Sequence, residues 1–130
     1  FKPSGFKLPF VGREFYFGII DCYSLVKDYF KQELNIDMSD YFREDRFWEK
    51  GESLYEDNFE KEGFVKIPIN EIKKHDLLFT HLEANLPNHA AIYLGEQQIL
   101  HHVQGRLSSR DILGEYYIKN TAFAARHKSL

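Results

Sequence analysis

The chain has 130 residues, 43% of them hydrophobic and 16% aromatic, with 17 basic against 20 acidic side chains and a formal net charge of −3. That length fits one domain spanning residues 1–130, and a chain of this size buries more than about 60% of its unfolded surface without needing a disulfide or metal staple. The acidic balance disfavours a phosphate-tracking nucleic-acid binder, and no apolar run approaches the roughly 18–20 residues that cross a bilayer, so neither nucleic acid nor membrane insertion is expected. Phe1-Lys2-Pro3-Ser4-Gly5 lacks the apolar core of a signal peptide, and the missing initiator methionine reads as excision from a longer chain.

Pro3, Gly5, Pro9 and Gly12 mark an irregular lead-in. The first regular element is expected to begin at Asp21: Cys22, Leu25, Val26, Tyr29, Phe30 and Leu34 recur at helical spacing, with Lys27, Asp28, Lys31, Gln32 and Glu33 opposite. Asp21 suits the N-cap because its carboxylate accepts first-turn amide hydrogens, and Asn35 ends the helix. The segment from Asp37 to Glu62 carries 10 of the 20 acids and only 4 basic residues. Its aromatics Tyr41, Phe42, Phe47, Trp48, Tyr55 and Phe59 suggest an acidic helical insertion of one or two short amphipathic helices with an acidic outer face. A solvated helical cover is the simpler reading of that face, and a docking surface for a basic partner is the other.

From Gly63 the pattern turns to short runs rich in β-formers: Phe64–Ile67, Asp76–Phe79, Ala90–Leu94 and Gln98–Val103, with a further strand expected within Tyr116–Arg126. Helix first and closely connected strands afterwards indicate an α+β fold with an antiparallel sheet.

Chemistry centres on the lone cysteine and the six histidines. Cys22 falls in the first helical turn, where the partial positive charge of the helix terminus favours thiolate over thiol. The simpler alternative makes it the first small apolar residue of the buried stripe. His89 opens an apolar strand, and His101 and His102 end the next. Their side chains point oppositely, so only one shares a face with His89. A three-residue loop from Glu96 to Gln98 selects His101, and a two-residue loop selects His102. A histidine facing a thiolate exchanges its proton, and a second polar group behind it fixes tautomer and orientation, which makes Cys22, His89 and His101 the candidate triad. Metal binding competes for the same residues, since His75, His81, His89, His101 and His102 fall close together with Asp76 and Glu83. Neither a His-Glu-x-x-His helix nor paired cysteines occur, so no metal and no cofactor are expected. Gly105-Arg106-Leu107-Ser108-Ser109 is not a serine-nucleophile elbow.

Taken together these residues resemble the NlpC/P60 family of papain-like cysteine peptidases, and within it the tail-assembly branch of lambda-type phages. The family's Asp-Cys-Ser-Gly-Leu-Val motif has its counterpart in Asp21-Cys22-Tyr23-Ser24-Leu25-Val26, and its Gly-Asp-Leu strand start in His75-Asp76-Leu77-Leu78-Phe79. His89-Ala90-Ala91-Ile92-Tyr93-Leu94-Gly95 matches the histidine strand, and the family's third polar residue, twelve positions on, falls on His101. Phe47-Trp48-Glu49-Lys50-Gly51-Glu52 and His101–Ser108 are similar to the tail branch. The resemblance implies a papain-like fold and hydrolysis of peptidoglycan stem peptides, typically between D-glutamate and a diamino acid. It also implies other phage tail proteins as partners, and a virion-tail location after synthesis in the host cytoplasm. It assigns Asp21 and an upstream tyrosine, for which Tyr16 is the candidate, to holding the substrate's amino terminus. Tyr23 replaces the family serine in that pocket, which alters its shape. Two other uses of the same fold are a catalytically silent wall-binding or tail-structural module, and a papain-like toxin or transferase acting on another acyl substrate.

Overall fold

The structure, a computed structural model, describes residues 9–16, 20–39, 55 and 58–130. Most of the acidic segment, with the expected helices around Phe47 and Trp48, lies outside the described residues.

Helix α1 spans Cys22–Leu34. Asp21 caps it in a reciprocal box: its Oδ1 accepts from the Ser24 amide at 3.0 Å, while the Asp21 amide donates to Ser24 Oγ at 2.7 Å. Such a cap contributes about 1 kcal/mol. Asn35 closes the other end in a left-handed conformation, with its amide bonded to the Lys31 carbonyl. Cys22, Leu25, Val26, Tyr29 and Phe30 form the buried stripe expected from their spacing.

Six strands follow: β1 (Phe64–Ile67), β2 (Leu77–Thr80), β3 (His89–Gly95), β4 (Gln98–His101), β5 (Ser109–Ile112) and β6 (Thr121–His127). They form one antiparallel sheet in the order β1-β6-β2-β3-β4-β5. The α+β architecture is therefore as read from the sequence. Two details differ. β5 has no apolar alternation to announce it, because Ser109, Arg110 and Asp111 supply polar side chains to a sheet edge. The start of the Tyr116–Arg126 run forms a short helix, α2 (Glu115–Lys119), and the strand begins only at Thr121.

Alternation divides the core between the two faces of the sheet. Leu77, Phe79, Ala90, Ile92 and Leu100 pack with α1, and Leu78, Ala91, Tyr93, Ile99, Leu113 and Ala124 form a second cluster flanked by Tyr117 of α2. All four residues of β2 are buried, as a strand covered on both faces requires. At its start the family-like Gly-Asp position is taken by His75, whose φ of 80° lies in the left-handed region that glycine enters at no steric cost. The ring of His75 is anchored by the Tyr29 hydroxyl, 2.8 Å from Nδ1. Next to it, the fully buried Asp76 accepts from Arg126 Nε at 2.9 Å and Nη2 at 2.8 Å, tying β2 to β6.

Candidate active site

The β3–β4 hairpin decides which histidines meet. Its loop is the two-residue Glu96-Gln97 turn, both residues at positive φ as a type I′ turn demands. By loop length alone, His102 should face His89. The register shifts between Tyr93 and Gly95, however, so that Gly95 pairs with Gln98 but Tyr93 pairs with Ile99 and Ala91 with His101. One extra residue in β3 reverses the parity, which puts His101 on the face of Ala91 and His89. The two imidazoles meet with His89 Nε2 2.9 Å from His101 Nδ1, their rings edge to face. Both are almost wholly buried, at 2% and 1% exposure.

The chain of contacts continues beyond His101. Its Nε2 lies 2.6 Å from Asp111 Oδ2 on β5, which is set by the pairing of Ser109 with His101 in the next ladder. Ser109 Oγ donates to the same carboxylate oxygen at 2.8 Å, and Arg106 Nη2 is 3.8 Å away. The hydrogen bond from His101, above all, holds the Asp111 carboxyl below its ordinary value, so it is an acceptor at neutral pH. Burial lowers the pKa of His101 against the opposing pull of Asp111, and it pushes His89 well below the ordinary 6.5, reinforced by His101 and His102. At neutral pH both rings are uncharged.

His102 turns to the opposite side. Its Nε2 donates to the Arg106 carbonyl at 3.1 Å, its ring meets Phe15 edge-on, and burial lowers its pKa. Arg13 and Asp21 both act on it electrostatically, and His102 in turn acts on His89. The N-terminus of α1 thus lies at the end of the sheet where β3 starts and β4 stops. Helix α1 packs across these two strands on the face of Ala90, Ile92 and Leu100, where Cys22 is buried, while His89 and His101 take the face of Ala91.

Cys22 is the first residue of α1 and only 7% exposed, with its sulphur 3.0 Å from the Tyr55 hydroxyl. Asp21 is buried as the helix cap. Tyr23 is buried too: its hydroxyl donates to the Ser39 carbonyl, and its ring lines a small apolar pocket with Tyr55, Val26, Phe79 and Ala90. Tyr16 is exposed, forms a β-bridge with Ile20, and donates its hydroxyl to Glu14 at 3.0 Å. It borders an open groove with Glu14, Phe15, Gln104, Arg106 and Leu107, beside His102.

Sequence reasoning passed over Asp111 and Tyr55. Asp111 sits in a polar run with no motif, and only the β4–β5 register makes it a neighbour of His101. Tyr55 was one aromatic among six in the acidic segment, with nothing local to single it out.

With this geometry in view, comparison with known proteins is decisive. The model of the NlpC/P60 family matches residues 12–126, nearly the whole chain. The chain belongs to the NlpC/P60 family. It is 36% identical over 118 residues to the tail tip assembly protein K of Escherichia phage lambda, and 33% identical over 133 residues to that of Escherichia phage N15. These alignments cover 91% and 99% of the chain but 59% and 53% of the two relatives, so the chain spans little more than half their length. Among solved structures, the NlpC/P60 domain of the peptidoglycan hydrolase SagA superposes with a TM-score of 0.62 at 20% identity, covering 90% of this chain and 89% of that one. A lipoprotein-like NLP/P60 protein of Staphylococcus aureus gives 0.63 at 19%, covering 91% of this chain and 37% of that one. At these identities the solved structures speak for the fold, and the fold of the chain is that of an NlpC/P60 domain.

Proposed function

We propose that the chain is a cysteine endopeptidase that hydrolyses peptidoglycan stem peptides, at a D-glutamyl–diamino acid bond, as part of a phage tail. One observation carries the reading: the linked His89–His101–Asp111 groups stand at the end of the sheet where α1 begins with Cys22 in its first turn. Family membership, the tail-protein relatives and the likeness to a peptidoglycan hydrolase domain support the substrate class.

In the proposed reaction the neutral His89 takes the Cys22 proton, and the thiolate attacks the scissile carbonyl. The amide hydrogen of Cys22 at the helix start steadies the oxyanion. Protonated His89, steadied by His101, then gives its proton to the leaving amine, and water attacks the thioester to free the acyl product and regenerate the thiol. The groove beside Tyr16 offers Glu14 and Arg106, charges of both signs, to a peptide that itself carries an amine and carboxylates. In this reading Tyr16 and Asp21 lie toward the substrate's amino terminus, while Tyr23 shapes the neighbouring interior wall.

Mass spectrometry of purified peptidoglycan digested with wild type and with Cys22→Ala tests enzyme status and bond identity together. New muropeptide termini with wild type alone support the reading; identical profiles refute it. The Tyr55 hydroxyl seated on the Cys22 sulphur favours a second reading, a catalytically silent tail module. That module would show no preferential alkylation of Cys22 by iodoacetamide at mildly acidic pH, whereas the peptidase would be labelled there.

A further inference from the structure

Asp111 lies outside the three residues assigned to the reaction, and it is the member of the chain whose hydrogen-bonding sense is fixed. An ionised carboxylate only accepts, so His101 Nε2, 2.6 Å away, donates to it. A neutral imidazole has one N–H, which leaves His101 Nδ1 with a lone pair. That lone pair faces His89 Nε2 at 2.9 Å, so His89 donates in turn and its own Nδ1 is left as the acceptor. We infer that Asp111 is a positioning residue that sets the tautomer of both histidines and so makes Nδ1 the basic nitrogen of His89.

The inference rests on the proposed role of His89 as the base, and it explains what a histidine in third place lacks. An asparagine or carboxylate behind a catalytic imidazole has a defined acceptor, but His101 can present either a lone pair or an N–H to its neighbour. Were His101 to carry its proton on Nδ1, His89 Nε2 would have to accept and Nδ1 of His89 would hold the proton, the form that cannot act as base there. Strand pairing puts the carboxylate in place: Ser109 lies opposite His101, and Asp111 lies opposite Ile99 on the same face. At the sheet edge the Asp111 side chain keeps 31% exposure, so it stays ionised without full desolvation, and the Ser109 hydroxyl steadies the oxygen that His101 uses.

The test is nitrogen NMR of 15N-histidine-labelled protein, read beside steady-state hydrolysis of an isolated stem peptide. In wild type both His89 and His101 should appear protonated on Nε2. Asp111→Ala should shift His101 toward the Nδ1–H form and lower kcat by roughly 10–100-fold, the scale seen when the partner that orients a metal-bound histidine is removed. KM should stay within about twofold, because the interaction lost belongs to the chemical step. Asp111→Asn, whose carbonyl still accepts, should keep both tautomers and lose less, and the wild-type tautomers by themselves test the inference if the alanine variant fails to fold. Wild-type His101 found protonated on Nδ1, or unchanged kcat and unchanged tautomers in Asp111→Ala, would overturn the inference. If wild type cleaves no stem peptide while Asp111→Ala still shifts the tautomers, tautomer control stands and the hydrolytic reading fails instead.

Discussion

Asp76 and Asp111 are both carboxylates bound by a nitrogen base from a neighbouring strand, and they do different work. Asp76 is fully buried and gripped in a fork by Arg126, with the Lys73 amide as a further donor. A guanidinium stays charged at any physiological pH, so this pair moves no proton and serves to fasten β2 to β6. Asp111 sits half-buried at the sheet edge, and its partner is an imidazole with a second imidazole behind it. Every link there is a group whose proton can change sides. The difference teaches that a carboxylate's role is set by whether its partner can titrate, more than by how deeply it is buried.

The contrast yields predictions that separate turnover from stability. The largest effect should come from Cys22→Ala, with stem-peptide hydrolysis down by at least about 10³-fold and the melting curve little changed, since Cys22 is the proposed nucleophile of the covalent step. Arg126→Met should do the reverse: it leaves the Asp76 carboxylate buried without its charge partner and should cost about 3–5 kcal/mol in urea unfolding, with kcat per folded molecule unchanged. A large loss of kcat in that variant would break the distinction between the two carboxylates. His101→Ala should slow hydrolysis by roughly 10–100-fold, well beyond the effect of His102→Ala, because only His101 faces His89. The opposite ranking would assign the reaction to the other face of β4.

A smaller, graded effect follows from pH. The folded-state pKa values of His89, His101 and His102 lie below 6.5 because of burial, so as pH falls below that value the unfolded chain takes up protons that the folded chain refuses. Stability should therefore be fully present above about pH 6.5 and decline below it, by up to about 1.4 kcal/mol per pH unit for each histidine that stays neutral. His89→Gln should flatten that slope in urea midpoints measured across the window, and an unaltered slope would remove His89 from the account. Least of all, Ser109→Ala should change kcat by under about threefold, because Asp111 keeps its hydrogen bond from His101.

Much of this was legible in local sequence. The spacing from Cys22 to Leu34, the cap at Asp21 and the left-handed stop at Asn35 are written within single turns, where three or four neighbouring residues settle the energetics. The apolar runs of β1 to β4 show in the same way, and so does an α+β fold. β5 was illegible because an edge strand buries little and need not alternate. The hairpin pattern alone left the choice between His101 and His102 open, and family spacing favoured His101, because loop length and bulge act with opposite parity and the shift beside Leu94 leaves no composition signal of its own.

The sequence by itself determined the helix that carries Cys22, the strands that carry His89 and His101, and the absence of any second cysteine, because each depends on periodicity or count along the chain. Only the tertiary structure decided that His101 faces His89, that Asp111 stands behind it, and that Tyr55 meets the sulphur of Cys22. Those contacts join residues 10 to 33 positions apart across separate elements. Strand register and helix packing fix such distances, and both are properties of the assembled sheet.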